Sequence, residues 1–112
     1  MKDVRKGIRR LANYAEESEK SIERYLVSQV SKMGGICLKY TSYTRIGYPD
    51  RLILWPGGEV TWVELKSKGK KPDKIQRLMI EHLQGMGFEV HVADSREKVN
   101  EILTKRNEIQ TL

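Results

Sequence analysis

Very little in this sequence can crosslink the chain, cluster around zinc or anchor it in a lipid phase. There is one cysteine, Cys37. A single thiol excludes an intrachain disulfide framework and a cysteine zinc cluster. Cys37 lies in an apolar run, reads as a buried core thiol, and fits a reducing, cytosolic compartment. No apolar run approaches bilayer length, so no membrane partner is expected. The basic N-terminus is not followed by the apolar stretch of a signal peptide. Histidine is scarce, with His82 and His91 the two copies. His82 reads as a surface or packed histidine and not as a ligand, and His91, on the polar face of a strand, reads as structural. Internal repeats and low-complexity segments are absent.

What the chain does have is positive charge. Lys plus Arg number 21 against 15 Asp plus Glu, a formal net charge of +6 on 112 residues. That length supports one small domain with one core. The charge favours an anionic partner, and nucleic acid is the first candidate.

The organising stretch runs from Gly47 to Lys66. Residues 52–55 and 60–65 are rich in branched and aromatic side chains, and Pro56-Gly57-Gly58 separates them. This reads as a β-hairpin. Alternation places Val60, Trp62, Glu64 and Lys66 on one face and Thr61, Val63 and Leu65 on the other. If residues 56–58 form the loop, Trp55 pairs with Glu59 and Asp50 falls opposite Glu64. Directly opposed residues have Cβ atoms roughly 5 Å apart. Two carboxylates that close repel unless a proton or a cation lies between them. A hard divalent cation such as Mg²⁺ suits that oxygen pair. A register slip of one residue would send Asp50 to the wrong face. In a generic hairpin the same letters describe a turn Asp and a solvated Glu-x-Lys pair.

The combination changes that balance. Pro49-Asp50, then residues 51–63, then Glu64-Leu65-Lys66 across a turn resembles the PD-(D/E)XK nuclease signature. The fuller pattern Gly47-x-Pro49-Asp50-Arg51, with Glu64-Leu65-Lys66 and a later Gln76, resembles the VRR-NUC branch, the virus-type replication-repair nucleases. The resemblance spans about residues 19–103. It implies a metal-dependent phosphodiesterase acting on DNA, using Mg²⁺ or Mn²⁺. The metal ligands it implies are Asp50, Glu64, the backbone carbonyl of Leu65, and an acid from the first helix. Glu23 best fits that last position, with Glu19 one turn earlier as its rival. Lys66 is implied as a catalytic cation and Gln76 as a residue that orients the site. Adjacent carboxylates raise a lysine's pKa, which favours electrostatic positioning by Lys66 over proton abstraction.

The rest of the chain supplies the scaffold. Residues 1–17 carry Lys2, Arg5, Lys6, Arg9 and Arg10, with Val4, Ile8 and Leu11 at helical spacing. They read as a basic arm or as a solvated terminus. Residues 18–33 form a helix with the stripe Ile22, Leu26, Val30 and Met33, an N-cap at Ser18 and a stop at Gly34-Gly35. Residues 36–40 form a strand, and Lys39 near its end reads either as facing the same cleft as Lys66 or as a strand-end lysine exposed to water. The loop 41–48 interleaves Tyr43, Arg45 and Tyr48, a mixture suited to a nucleic-acid backbone and unpaired bases. After Lys66 the run Ser67-Lys68-Gly69-Lys70-Lys71 is a basic loop beside the expected metal, suited to phosphates.

Residues 72–86 form the second helix, with Pro72 in its first turn and a core stripe of Ile75, Leu78, Met79 and Leu83. Gln76 flanks that stripe. Residues 88–93 form a strand, and Asp94 or Ser95 caps a last helix in which Val99, Ile102 and Leu103 face the core. The expected organisation is a basic arm at 1–17, a nuclease domain at 18–106 and a tail at 107–112. The order α-β-β-β-α-β-α fits an α/β restriction-endonuclease-like core, a mixed central sheet flanked by helices. DNA contacts are expected from Lys39, Arg45, Arg51, Lys68, Lys70 and Lys71.

Free-standing members of this branch, often phage-encoded, resemble Holliday-junction resolvases. That implies a homodimer, since two symmetric strands at a four-way junction call for two sites. The alternatives are a flap-type, nick-type or nonspecific DNA nuclease with the same site, and a non-catalytic DNA-binding module that keeps the fold.

Overall fold

The computed structural model describes residues 18–111. The basic arm at 1–17 and Leu112 lie outside them. The elements are α1 (Glu19–Lys32), β1 (Ile36–Lys39), β2 (Arg51–Leu54), β3 (Val60–Leu65), α2 (Lys74–Gly85), β4 (Glu89–Ala93) and α3 (Arg96–Thr111). The sheet order is β1-β2-β3-β4. The first two pairings are antiparallel, and β3 pairs with β4 in parallel through the α2 crossover. The expected α/β order and mixed sheet are therefore what the chain adopts.

Turn length fixes the register. Trp55 N donates to the Glu59 carbonyl at 2.9 Å, and Gly58 N donates to the Trp55 carbonyl at 3.1 Å. That closes a loop at residues 56–58, where Gly57 and Gly58 take positive φ angles of 96° and 90°. Each step down the ladder then follows: Leu54 opposite Val60, Leu52 opposite Trp62, Arg51 opposite Val63. One step further, Asp50 stands opposite Glu64.

Two faces of the sheet carry two cores. Ile22, Leu26 and Val30 of α1 and Val99, Ile102 and Leu103 of α3 pack on Ile53, Trp55, Val63, Leu65 and Ala93. On the other face, Ile80 and Leu83 of α2 pack on Trp62 and Val90, joined by Tyr48, Leu52, Met79 and Val92. Strand alternation explains the split, because odd-numbered positions of β2 and β3 meet α1 and α3 and even-numbered positions meet α2.

Local chemistry sets the helix ends. Ser18 caps α1, its Oγ accepting from Ser21 N at 3.2 Å. Asp73 and Gln76 form a reciprocal capping box at the start of α2. Ser95 caps α3, its Oγ accepting from Lys98 N at 3.0 Å.

Three expectations are corrected. The buried stripe of α2 is Ile80 and Leu83, while Ile75 and Leu78 are 50% and 53% exposed. Apolar residues fall on a wide arc of this helix, and the sheet meets the side holding Ile80. Helix α3 continues through Thr111, into the stretch read as a tail. Lys39 does not share a face with Lys66. It pairs with Arg51, whose row meets α1 and α3, whereas Asp50 and Glu64 belong to the opposite face.

Candidate active site

The open end of the hairpin gathers three elements. Gly47 comes first. It adopts φ +90°, and a Cβ there would stand 2.9 Å from Ile75 Cγ2 and 3.0 Å from the Ile75 carbonyl oxygen. Only glycine lets the loop lie this close to the first turn of α2. Pro49 follows, fully buried. Asp50 then enters the sheet edge with its direction set. Its Oδ2 accepts from Leu65 N at 2.9 Å, clasping the two strands of the hairpin across their ends. Its backbone carbonyl accepts from Tyr40 N at 2.8 Å, extending the β1–β2 ladder by one residue. Tyr40, Asp50 and Glu64 thus form a row along one face.

Glu64 is the anomaly of the molecule. It is 1% exposed, and neither carboxylate oxygen meets a hydrogen-bond donor. A carboxylate is rarely this buried without a partner. Burial is the largest cause pushing its pKa up to about 9. The hydrogen bond that a protonated Glu64 would share with Asp50 and the charge of Asp50 follow, Lys66 pulls the other way, and Glu19 adds a smaller push. Two ionised carboxylates only accept, so the Asp50 bond requires a proton on one of them. The pair is built either to share a proton or to hold a cation. Lys66 Nζ stands 3.9 Å from Glu64 Oε1, too far for a hydrogen bond and near enough to feel its charge.

Among the described residues, no group of three or more His, Cys, Asp or Glu side chains is arranged to hold a metal ion. The pair Asp50 and Glu64 nonetheless has the donor chemistry of a hard divalent cation. Glu23 is engaged by the neighbouring Arg51. Its Oε1 takes Arg51 Nη2 at 3.1 Å, and Arg51 Nη1 donates to the Cys37 carbonyl at 3.3 Å. The Arg51 side chain is 12% exposed and turned into the α1 face, so it ties helix to sheet instead of reaching outward. Glu19, not Glu23, is the α1 acid whose charge acts on Glu64.

Gln76 sits in the first turn of α2. Its Oε1 accepts from Asp73 N at 3.0 Å, so the side-chain amide nitrogen is the end left to address a ligand. Lys68, Lys70 and Lys71 are exposed on the loop after Lys66. That loop is fastened by Lys66 N donating to the Ala93 carbonyl at 3.0 Å and Lys70 N donating to the Ser67 carbonyl at 2.9 Å. Arg45 is exposed in the loop before Asp50. Burial pushes the Cys37 thiol up, against the smaller pull of Arg51, which suits an unreactive packing role. No helix among the described residues is long and apolar enough to cross a membrane.

One residue with a structural task escaped the sequence. Arg106 is 4% exposed, lies 4.8 Å over the Trp55 ring and is ion-paired with Glu59. No local pattern marks it, because its partners sit in the hairpin.

No family model matches the sequence. A protein of Acyrthosiphon pisum secondary endosymbiont phage 1, named "Putative nuclease p44", is 44% identical over 79 residues, covering 70% of this chain and 85% of that protein. Among solved structures, a chain titled "VRR_NUC domain" superposes with a TM-score of 0.75 at 29% identity. The match covers 77% of this chain and 94% of that one.

Proposed function

Since the chain belongs to the VRR-NUC family of PD-(D/E)XK nucleases, we propose that it is a metal-dependent, structure-selective DNA endonuclease acting as a homodimer on four-way junctions. The observation that carries the reading is Glu64, an acid buried without a hydrogen-bond donor opposite Asp50. So ill-solvated a carboxylate takes a proton or a cation, and a cation is the occupant that gives a nuclease its chemistry.

Asp50, Glu64 and the Leu65 carbonyl would hold Mg²⁺ or Mn²⁺, with an α1 acid completing the set. When bound, such an ion supplies charge to the scissile phosphate and lowers the pKa of a water. The chain's own groups do the rest. The Leu65 amide orients Asp50 by occupying Oδ2 and leaves Oδ1 for the cation. Lys66 adds a positive charge beside Glu64, placed to hold a phosphate oxygen or to steady the attacking water. Gln76 offers its amide nitrogen. Arg51 locks Glu23 to the sheet and is a positioning residue for the neighbouring Asp50. Lys68, Lys70, Lys71 and Arg45 neutralise phosphates on either side of the site, while Lys39 meets DNA only if the duplex wraps round the edge of β1.

The test is cleavage of labelled four-way junctions, flaps, nicked duplexes and linear duplexes in Mg²⁺ and in Mn²⁺. Paired symmetric incision of the junction is expected. Equal cutting of flaps would replace the junction preference with a flap-type activity. DNA binding with no incision in either metal would overturn the enzymatic reading.

A further inference from the structure

A groove of about 260 Å³ opens directly beside Asp50, lined by Tyr40, Ser42, Arg45, Tyr48 and Asp50 among others. It lies below the usual range for drug-sized pockets, roughly 300–1,000 Å³, and is scaled to one nucleotide. Its aromatic wall is a packed cluster of rings. Tyr40 stands edge-on to Trp62 at 5.1 Å between ring centroids, Tyr48 lies 5.5 Å from Tyr40 and 5.9 Å from Trp62, and Trp62 is buried. Tyr40 itself keeps 36% of its surface open. Its backbone amide is bonded to the carbonyl of Asp50, so the ring is held in register with the acid. The loop that completes the groove is shaped by Ser42, whose Oγ accepts from Arg45 N at 3.1 Å. Arg45 lines the groove and is exposed.

A packed aromatic ring and a cation lining one groove suit an unpaired base with its phosphate, and base–aromatic stacking is tolerant of sequence. We infer that this groove takes a single unpaired nucleotide of the strand to be cut, its base against Tyr40 and its phosphate against Arg45. The inference rests on the nuclease reading of Asp50 and Glu64 and deepens it. Continuous duplex keeps its bases stacked on both sides and cannot fill the groove, whereas a branch point interrupts stacking and lowers the cost of unpairing and extruding one base. Selectivity for branched DNA then comes from the groove and not from the acids. Tyr40, Arg45 and Tyr48 are specificity-determining residues on this account.

The test is binding of the full chain, in EDTA so that nothing is cut, to a fluorescein-labelled four-way junction. Nucleotides flanking the branch are replaced one at a time by an abasic analogue. One position should weaken wild-type binding roughly tenfold, in line with the cost of losing a stacked base. Tyr40→Ala should bind the intact junction about tenfold more weakly and lose nothing further at that abasic position. Tyr40→Phe should behave as wild type. Losses that multiply independently, or the absence of any sensitive position in the wild type, would overturn the inference. Should Tyr40→Ala not fold, the same cycle runs with the exposed Arg45→Ala against a neutral methylphosphonate at that nucleotide, judged by the same criterion. Incision of the junction by wild type in Mg²⁺ is scored separately. Coupling without incision sinks the nuclease reading and keeps the groove, and incision without coupling does the reverse.

Discussion

The two ends of one hairpin are built on opposite terms. At the turn end, Trp55 Nε1 donates to Thr61 Oγ1 at 2.9 Å, Thr61 Oγ1 donates to Glu89 Oε2 at 3.1 Å, and Glu89 meets His91 at 2.7 Å. Arg106 covers the Trp55 ring and pairs with Glu59. At the open end, about 10 Å along β3 from Thr61 by ordinary strand rise, Glu64 is buried with no donor for either oxygen. The same two strands therefore carry a side-chain network with one unpartnered atom, Arg106 Nε, at the turn, and a carboxylate with both oxygens unpartnered at the open end. Folding is supported at the turn, and the buried acid without a donor stands where a ligand can answer it.

The comparison is most sharply tested by removing the acids. Asp50→Ala and Glu64→Ala should each lower DNA cleavage by at least about a thousandfold, a loss of the size seen when a preorganised charge is removed from a reacting centre. DNA binding in EDTA should survive. Loss of both would assign these acids to folding.

Arg106→Ala should break the other end. It strips a cation from the Trp55 face and leaves Glu59 unpaired, at an expected cost of about 2 kcal/mol. Urea unfolding measures it, and junction cleavage at a temperature where the variant is folded should stay within about twofold of wild type, well below the scale of a lost catalytic contact. A large loss of cleavage would erase the proposed division between the two ends.

A subtler effect concerns pH. The folded-state pKa of Glu64, about 9, stands above its ordinary 4.5. Between those values the folded chain holds a proton that the unfolded chain releases, so metal-free stability should fall as pH rises through that window. Glu64→Gln should remove that component and leave the metal-free protein more stable than wild type at pH 8. Thermal melting in EDTA at pH 5.5 and 8.5 checks both statements. A Glu64→Gln protein with the wild-type slope would mean the acid is not strained. Mg²⁺ should raise the melting temperature of wild type at pH 8 and not that of Glu64→Gln.

The smallest effect belongs to the basic loop. Lys70→Ala should reduce the slope of log affinity against log salt by about 0.7–0.9, one phosphate contact, with no change in folding.

Much of the open end was legible because a short turn fixes strand parity. Once residues 56–58 form the loop, Asp50 must meet Glu64, and the Gly47-x-Pro49-Asp50 context marked the approach. Helix α1 was equally readable, since Ile22, Leu26 and Val30 define one narrow stripe. Helix α2 was not. Ile75, Leu78, Met79, Ile80 and Leu83 spread round the cylinder, and periodicity alone gives no reason to prefer Ile80 over Leu78. Contacts across the sheet were hidden for a different reason. Arg51 reads as a surface cation until Glu23 is brought over it, and Arg106, the last residue of the expected domain, carries no mark until Trp55 arrives beneath it. Such pairings belong to the tertiary fold and leave no trace in local spacing.

The close fit of Gly47 against Ile75 carries a last consequence. The missing side chain works as a shim of zero thickness between loop and helix. A single methyl group there would wedge the two apart and tilt Pro49 and Asp50 with them, detuning the aim of an acid that was never itself altered. Alignment in this molecule depends on an atom that is not there.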